Sequence, residues 1–167
     1  QQTNSVAHGL DWTHTLTPGT FYKLALRHNH FYYRDRAYDD FWDPRYDAAG
    51  PIETFVDGPV VIEGVDFNRF VQRSNTIVLN GSATSQVRRN HLVKAGAEFQ
   101  WPHLTFGNDG WLVAQSTATG REEVVRHQDE PPNFPGLSRY RPVIASGFAQ
   151  DEIEWNDLRI RAGLRYE

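Results

Sequence analysis

The sequence predicts an all-β fold, an antiparallel up-and-down meander of about six strands arranged as three hairpins. Three observations carry this expectation. Stretches spaced along the chain alternate apolar and polar side chains with a period of two, and short turns alternate with long irregular connections. The 167 residues are also 13% aromatic, with five Trp, seven Tyr and ten Phe, yet mean hydropathy is only −0.61. That combination suits half-buried strands with aromatic anchors better than a helical core.

The first strand, at 5–16, sets Leu10, Trp12, His14 and Leu16 against Gly9, Asp11, Thr13 and Thr15. Thr17-Pro18-Gly19 then turns the chain, because Pro presets φ and Gly accepts a positive φ. The second strand, 20–34, opposes Tyr22, Leu24 and Leu26 to Lys23, Ala25 and Arg27 and ends in the aromatic run Phe31-Tyr32-Tyr33. Residues 35–74 hold neither period for long and read as a loop, with a short strand or helical turn within 59–70. The third strand, 75–87, has Ile77, Leu79, Gly81, Ala83 and Val87 on one side. Arg88-Arg89-Asn90 is a short turn, and the fourth strand, 91–106, sets Val93, Ala95, Ala97, Phe99 and Trp101 against Lys94, Gly96, Glu98 and Gln100. Pro102 marks a rim, an edge or a bulge in it. Residues 107–141 read as a second loop. The last hairpin pairs strands at 142–154 and 158–167 across Glu154-Trp155-Asn156-Asp157. Its final strand places Leu158, Ile160, Ala162, Leu164 and Tyr166 on one face and Arg159, Arg161 and Arg165 on the other.

The parity of turns and loops places every short turn on one rim of a meander and every long loop on the other. Outer-membrane barrels are built this way, with apolar residues facing lipid and polar ones facing the lumen. Such strands hide their hydrophobicity in every second position. It is therefore no obstacle that the longest apolar run, Pro59 to Ile62, is far below the roughly 18 to 20 residues of a transmembrane helix. Trp12, Tyr22 and Trp155 fall near the short-turn rim and Phe31, Tyr32, Tyr33, Trp101 and Tyr166 about ten residues away, which predicts two aromatic belts. A net charge of −4 and a pI near 6.0 leave no basic excess for a nucleic-acid partner. The absence of cysteine excludes a disulfide scaffold or thiolate metal site. Gln1-Gln2-Thr3-Asn4 has neither the charged nor the apolar region of a signal peptide, so an export signal is expected upstream.

Several stretches resemble TonB-dependent outer-membrane receptors, especially those with a carboxypeptidase-regulatory-like N-terminal domain, often called Oar-like. The resemblance lies in Ala149-Gln150-Asp151-Glu152-Ile153-Glu154 with Asp157-Leu158 and Ala162-Gly163-Leu164-Arg165-Tyr166, and in Trp12-Thr13-His14 with Leu16 to Tyr22. Asp43-Pro44-Arg45-Tyr46 and His91 to Phe99 complete it. Phe148 and Glu167 depart from it, standing where the family usually has Tyr and Asp. The resemblance implies energy-coupled uptake of a ligand across the outer membrane of a Gram-negative cell. It also implies a plug domain, a TonB-type energy-coupling partner and a barrel of about twenty-two strands. Six strands cannot close even an eight-stranded barrel, so the sequence is expected to be a barrel fragment without its plug, partnered by lipid and by the receptor's remaining strands.

Lys23, Arg27, Lys94, Glu98, Arg159, Arg161 and Arg165 are the candidate lumen-facing ligand residues, read also as the ordinary polar lining of a wet lumen. Phe148 and Gln150 share a face while differing in polarity, which leaves their orientation open. His28 and His30 share a strand face with Tyr32, a pattern read as a headgroup-level rim rather than a metal site. Asp35, Asp39, Asp40, Asp43 and Asp47 offer carboxylates without EF-hand spacing and read as a solvated acidic loop. No metal, cofactor or catalytic residue is expected, since no serine, histidine and acid set nominates a nucleophile. A passive porin or adhesin barrel, or a soluble β-sandwich or small barrel that binds a partner, are the alternatives.

Overall fold

The computed structural model describes residues 1–54, 61–127 and 136–167. The elements in chain order are β1 (Gln2–Thr17), β2 (Thr20–Asp35), α1 (Arg45–Ala49), β3 (Glu53–Thr54), β4 (Val61–Glu63), β5 (Phe70–Arg88), β6 (His91–Asn108), β7 (Trp111–Ser116), β8 (Glu122–His127), β9 (Leu137–Tyr140), β10 (Ile144–Trp155) and β11 (Leu158–Tyr166). The fold is all-β. Its main sheet runs in sequence order, β1-β2-β5-β6-β10-β11, with β9 as an additional partner of β6. Among the described residues β1 and β11 each have a single neighbour and form the two edges.

Alternation makes the long strands and the turn residues end them. β5 stops at Arg88 and β6 resumes at His91, while Asn156, with φ 51°, takes the left-handed conformation that closes the β10–β11 turn. β9 and β10 follow the same register along β6, Leu104 opposing Tyr140 and Gln100 opposing Ile144. Continuing either register puts Pro142 opposite Pro102. Neither proline has an amide hydrogen to donate, and the ladder is interrupted there between Tyr140 and Ile144.

The two long loops hold more structure than the sequence predicts. Residues 35–74 contain α1 and the pair β3–β4, and 107–141 contain the antiparallel hairpin β7–β8 as well as β9. β7 opens Trp111-Leu112-Val113-Ala114, an unbroken apolar run that conceals the period-two signal. Of the apolar run 59–62, residues 59 and 60 lie outside the described residues.

The chain divides into two compact units. The first comprises Gln1–Asn4, Phe31–Arg73 and Leu104–Tyr140. It contains the buried apolar side chains Tyr46, Val71 and Leu112, and Tyr46 is wholly inaccessible. The second comprises Ser5–His30, Ser74–His103 and Arg141–Glu167. Among its described residues no large apolar side chain is buried, and Leu164 and Trp155 are 85% and 70% exposed.

Directly opposed residues of an antiparallel pair share a face, so register assigns the sides of the second unit's sheet. Ala149 opposes Leu164 and Ala95, and Asp151 opposes Ala162 and Val93, which makes this the side of Leu158, Ile160, Leu164 and Tyr166. The other side carries Arg165 against Phe148 against Gly96, then Gln150 against Lys94, then Arg161 against Glu152. Phe148 and Gln150, left open by the sequence, therefore both lie on the arginine side. Here Gly96 is required by close approach: a Cβ on it would stand 2.6 Å from the Phe148 ring and 2.7 Å from the Gly81 carbonyl oxygen.

Gly96→Val is accordingly expected to lower the free energy of unfolding by about 1–3 kcal/mol through overpacking. Phe148→Ala in the same chain should restore only part of it, because the Gly81 carbonyl remains in the way. Denaturant unfolding of the single and double variants measures both.

Candidate functional site

The polar face of the second unit's sheet gathers all seven candidate residues. Side-chain contacts extend the face assignment beyond β6. Asn80 donates to Glu98 at 3.1 Å, and Arg27 donates twice to the Asp11 carboxylate, at 2.6 and 2.7 Å. Lys23 lies two and four residues from Ala25 and Arg27, so it projects to the same side. Leu24, on the other side, is the neighbour a Cβ on Gly81 would meet.

This face neutralises itself. Arg161 donates to Glu152 at 2.7 Å, Arg159 reaches Glu152 at 3.2 Å and also pairs with Glu154, and Arg165 donates to Glu167 at 2.5 Å. Glu98 accepts hydrogen bonds from Asn80 and from Gln100, the latter at 2.7 Å. Among the described residues, Lys23 and Lys94 alone of the six cations lack a carboxylate, and each lies over an aromatic ring, Phe21 at 5.6 Å and Phe148 at 5.7 Å. The cationic stripe is therefore a set of ion pairs, cross-strand for Arg27, Arg159 and Arg161 and local for Arg165, with two surplus lysines. Around one of them, Lys94, Phe148, Gln150, Gly163 and Arg165 line an open hollow of about 450 Å³ together with Ala149 and Leu164. A polar surface bearing carboxylates and hydrogen-bond acceptors fits such a hollow, and the face can bind and orient a ligand.

No family model, no curated protein and no solved structure matches the chain.

His28 and His30 share the strand face of Leu24 and Leu26, the opposite, apolar side. His28 contacts His8 at 3.2 Å and hydrogen-bonds with Asn75, rather than forming a pair with His30. Nearer the first turn, Trp12 and Tyr22 meet edge to face at 5.3 Å, with His14 stacked on Trp12. No group of three His, Asp or Glu side chains suited to a metal occurs among the described residues.

In the first unit the five aspartates are held individually. Asp35 accepts from Gln1 and Tyr33, Asp39 pairs with Arg34 at 3.0 Å, and Asp40 caps the Trp42 amide at 3.0 Å. Asp43 takes the Arg45 guanidinium and amide, and Asp47 takes Arg126 at 2.9 and 3.1 Å. They anchor a folded segment, and Asp39, Asp40 and Asp47 are at the same time solvent-exposed, as the sequence predicts. Sequence reasoning missed the side chains that clamp it. Arg69, 3% exposed, donates to the Tyr46 hydroxyl at 3.1 Å, the Tyr38 carbonyl at 3.2 Å and Asp109 at 3.2 Å. The Tyr46 hydroxyl in turn accepts from the Tyr38 amide at 3.1 Å. Arg126 lies over the Trp42 ring and donates to the Phe41 carbonyl. The partners of Arg69 and Arg126 are 23 to 85 residues away in the chain, and no local motif announces them.

The Arg45 hydrogen bonds to the Asp43 side chain, then its amide, hold the Asp43 carboxyl down at about 2. A carboxyl depressed in the folded state contributes stability that is complete above its unfolded pKa of about 3.9 and is lost as pH falls through the folded value. Trp42 fluorescence is therefore expected to report loosening of this segment between about pH 4 and pH 2, and Asp43→Asn should remove that part of the transition. Separately, Tyr46→Phe, which leaves the buried Arg69 and the Tyr38 amide without their oxygen partner, should cost about 1–3 kcal/mol in denaturant unfolding.

Proposed function

We propose that this chain is part of the wall of an outer-membrane β-barrel, and specifically of a TonB-dependent receptor that takes up a ligand with energy coupled from the inner membrane. The observation that carries the membrane reading is the second unit's sheet. Its inner strands satisfy one another's backbone groups, yet Leu10, Trp12, Leu16, Leu24, Leu26, Ile77, Leu79, Phe99, Ile160 and Leu164 remain exposed. A water-soluble domain of this length would bury most such side chains, and a contiguous exposed apolar surface marks a binding partner or a membrane. In a bilayer hydrocarbon lipid covers it, while the paired arginines and glutamates opposite face a wet lumen. The soluble β-sandwich is disfavoured on the same ground, since no protein layer covers this side among the described residues.

The two open edges support further strands on both sides, because an unpaired strand edge cannot face hydrocarbon. The receptor assignment, as against a passive porin or adhesin, rests on the resemblance in the terminal hairpin, in Trp12 to Tyr22, in Asp43 to Tyr46 and in His91 to Phe99. Within that reading the outer membrane of a Gram-negative cell is the location, and the plug, the remaining strands and a TonB-type protein are the partners. The hollow beside Lys94 and Arg165 lies on the face turned to the plug or ligand.

Leu164→Arg is expected to cost about 2–4 kcal/mol in folding into lipid vesicles, whereas Arg161→Leu should be tolerated. Equal damage from both overturns the orientation. A monomeric, cooperatively folded chain in detergent-free buffer overturns the membrane reading, and an upstream sequence without a plug domain overturns the receptor reading in favour of the porin.

A further inference from the structure

A second cluster of arginines, in the first unit, has too few carboxylates. Arg36 and Arg69 share one acid: Arg36 reaches Oδ2 of Asp109 and Arg69 reaches Oδ1, both at 3.2 Å. Arg36 has Asp39 at 3.9 Å as a further ion-pair partner and donates weakly to its carbonyl, but its buried Nε makes no hydrogen bond among the described residues. Arg36 and Asp109 also line a cavity of about 190 Å³, together with Arg73 and Arg139. Arg139 has no ion-pair or hydrogen-bond partner among the described residues, and Arg73 has only the Tyr32 ring, 5.1 Å away. Thr105, directly opposite Arg139 in the β6–β9 register, supplies a hydroxyl, and Val71 and Leu137 form the apolar part of the lining.

We propose that this cavity binds the phosphate group of a phosphorylated ligand. Three arginines against one aspartate give the lining a formal charge of +2, which a phosphate monoester dianion cancels and a single carboxylate does not. Guanidinium forks match phosphate oxygens in bidentate geometry, and Asp109 and Thr105 can accept from a protonated oxygen or donate a hydroxyl. The cavity, about 190 Å³, is roomy enough for a phosphate group with a few waters. Behind the cavity the nearly inaccessible Arg69 adds positive potential that solvent screens poorly. The phosphate could belong to a small solute or to a lipid headgroup. Because every residue belongs to the first unit, the inference does not depend on the membrane reading of the second.

The test uses the full chain folded in an uncharged, phosphate-free detergent. Inorganic phosphate is titrated by calorimetry against chloride at matched ionic strength, and phosphatidic acid is compared with phosphatidylcholine in vesicles. Saturable one-site binding of inorganic phosphate identifies a solute phosphate, and binding confined to phosphatidic acid identifies a headgroup. In either case Arg73→Gln with Arg139→Gln should weaken binding at least about tenfold, while Arg88→Gln, in the β5–β6 turn, should leave it within about twofold. Absence of binding to both probes, unchanged affinity in the double variant, or acetate binding as tightly as phosphate overturns the proposal. Circular dichroism of each variant shows that the comparison is between folded chains, and both substituted arginines are solvent-exposed and free of structural ion pairs.

Discussion

The second unit depends on one constraint: between its two open edges the backbone is satisfied by strand pairing, while its apolar side chains are not covered by protein. Hydrogen bonding across the ladder satisfies the main chain of the inner strands, and what remains is a sheet whose two sides demand different surroundings. On one side Leu158, Ile160, Ala162 and Leu164 continue across Ala149 and Asp151 to Ala95 and Val93. On the other, Glu152 sits between Arg161 and Arg159. Most of its charges are paired, Arg159 and Arg161 across the strand boundary, so the side that carries them needs water but little counter-charge. A slip of one residue between β10 and β11 would exchange these two populations, and the tight turn at Asn156 guards against it.

The first unit solves a different problem. Asp43-Pro44-Arg45-Tyr46 leads into a helix of five residues, too short to hold itself, and its order comes from outside it. Tyr46 is inserted among Tyr38 and Phe67, Arg45 stacks on Tyr38 at 4.0 Å, and Arg69 ties the tyrosine hydroxyl to Asp109. Gly110, at φ 135°, lets the chain pass against the Phe41 ring, where a Cβ would stand 2.6 Å away. Burying a guanidinium is costly unless its donors are satisfied, and Arg69 meets that demand with a hydroxyl, a carbonyl and a carboxylate.

The long strands were legible because alternation is local: each residue's side follows from its neighbour's. The shared face of Arg159, Arg161 and Arg165 followed from the same rule. Pairing was not legible, because Glu152 and Arg161 meet only once register is known, and the same register settles Phe148 and Gln150. The aspartates of 35–47 read as solvated, and Asp39 and Asp47 are largely exposed; what was not legible is the pairing of Asp47 with Arg126, 79 residues away. β7 escaped notice because its apolar run carries no period, and the clustering of Arg36, Arg73, Arg139 and Asp109 is a product of tertiary folding alone.

The central claim is that the apolar face of the second unit meets lipid and its opposite face meets water. The chain has no native cysteine, so single spin labels can be placed at successive positions 158 to 165 of β11 in lipid vesicles. Accessibility to oxygen, which concentrates in hydrocarbon, should peak at 158, 160, 162 and 164, and accessibility to a water-soluble nickel chelate should peak at 159, 161, 163 and 165. High nickel accessibility at both sets, with no period of two, would contradict it.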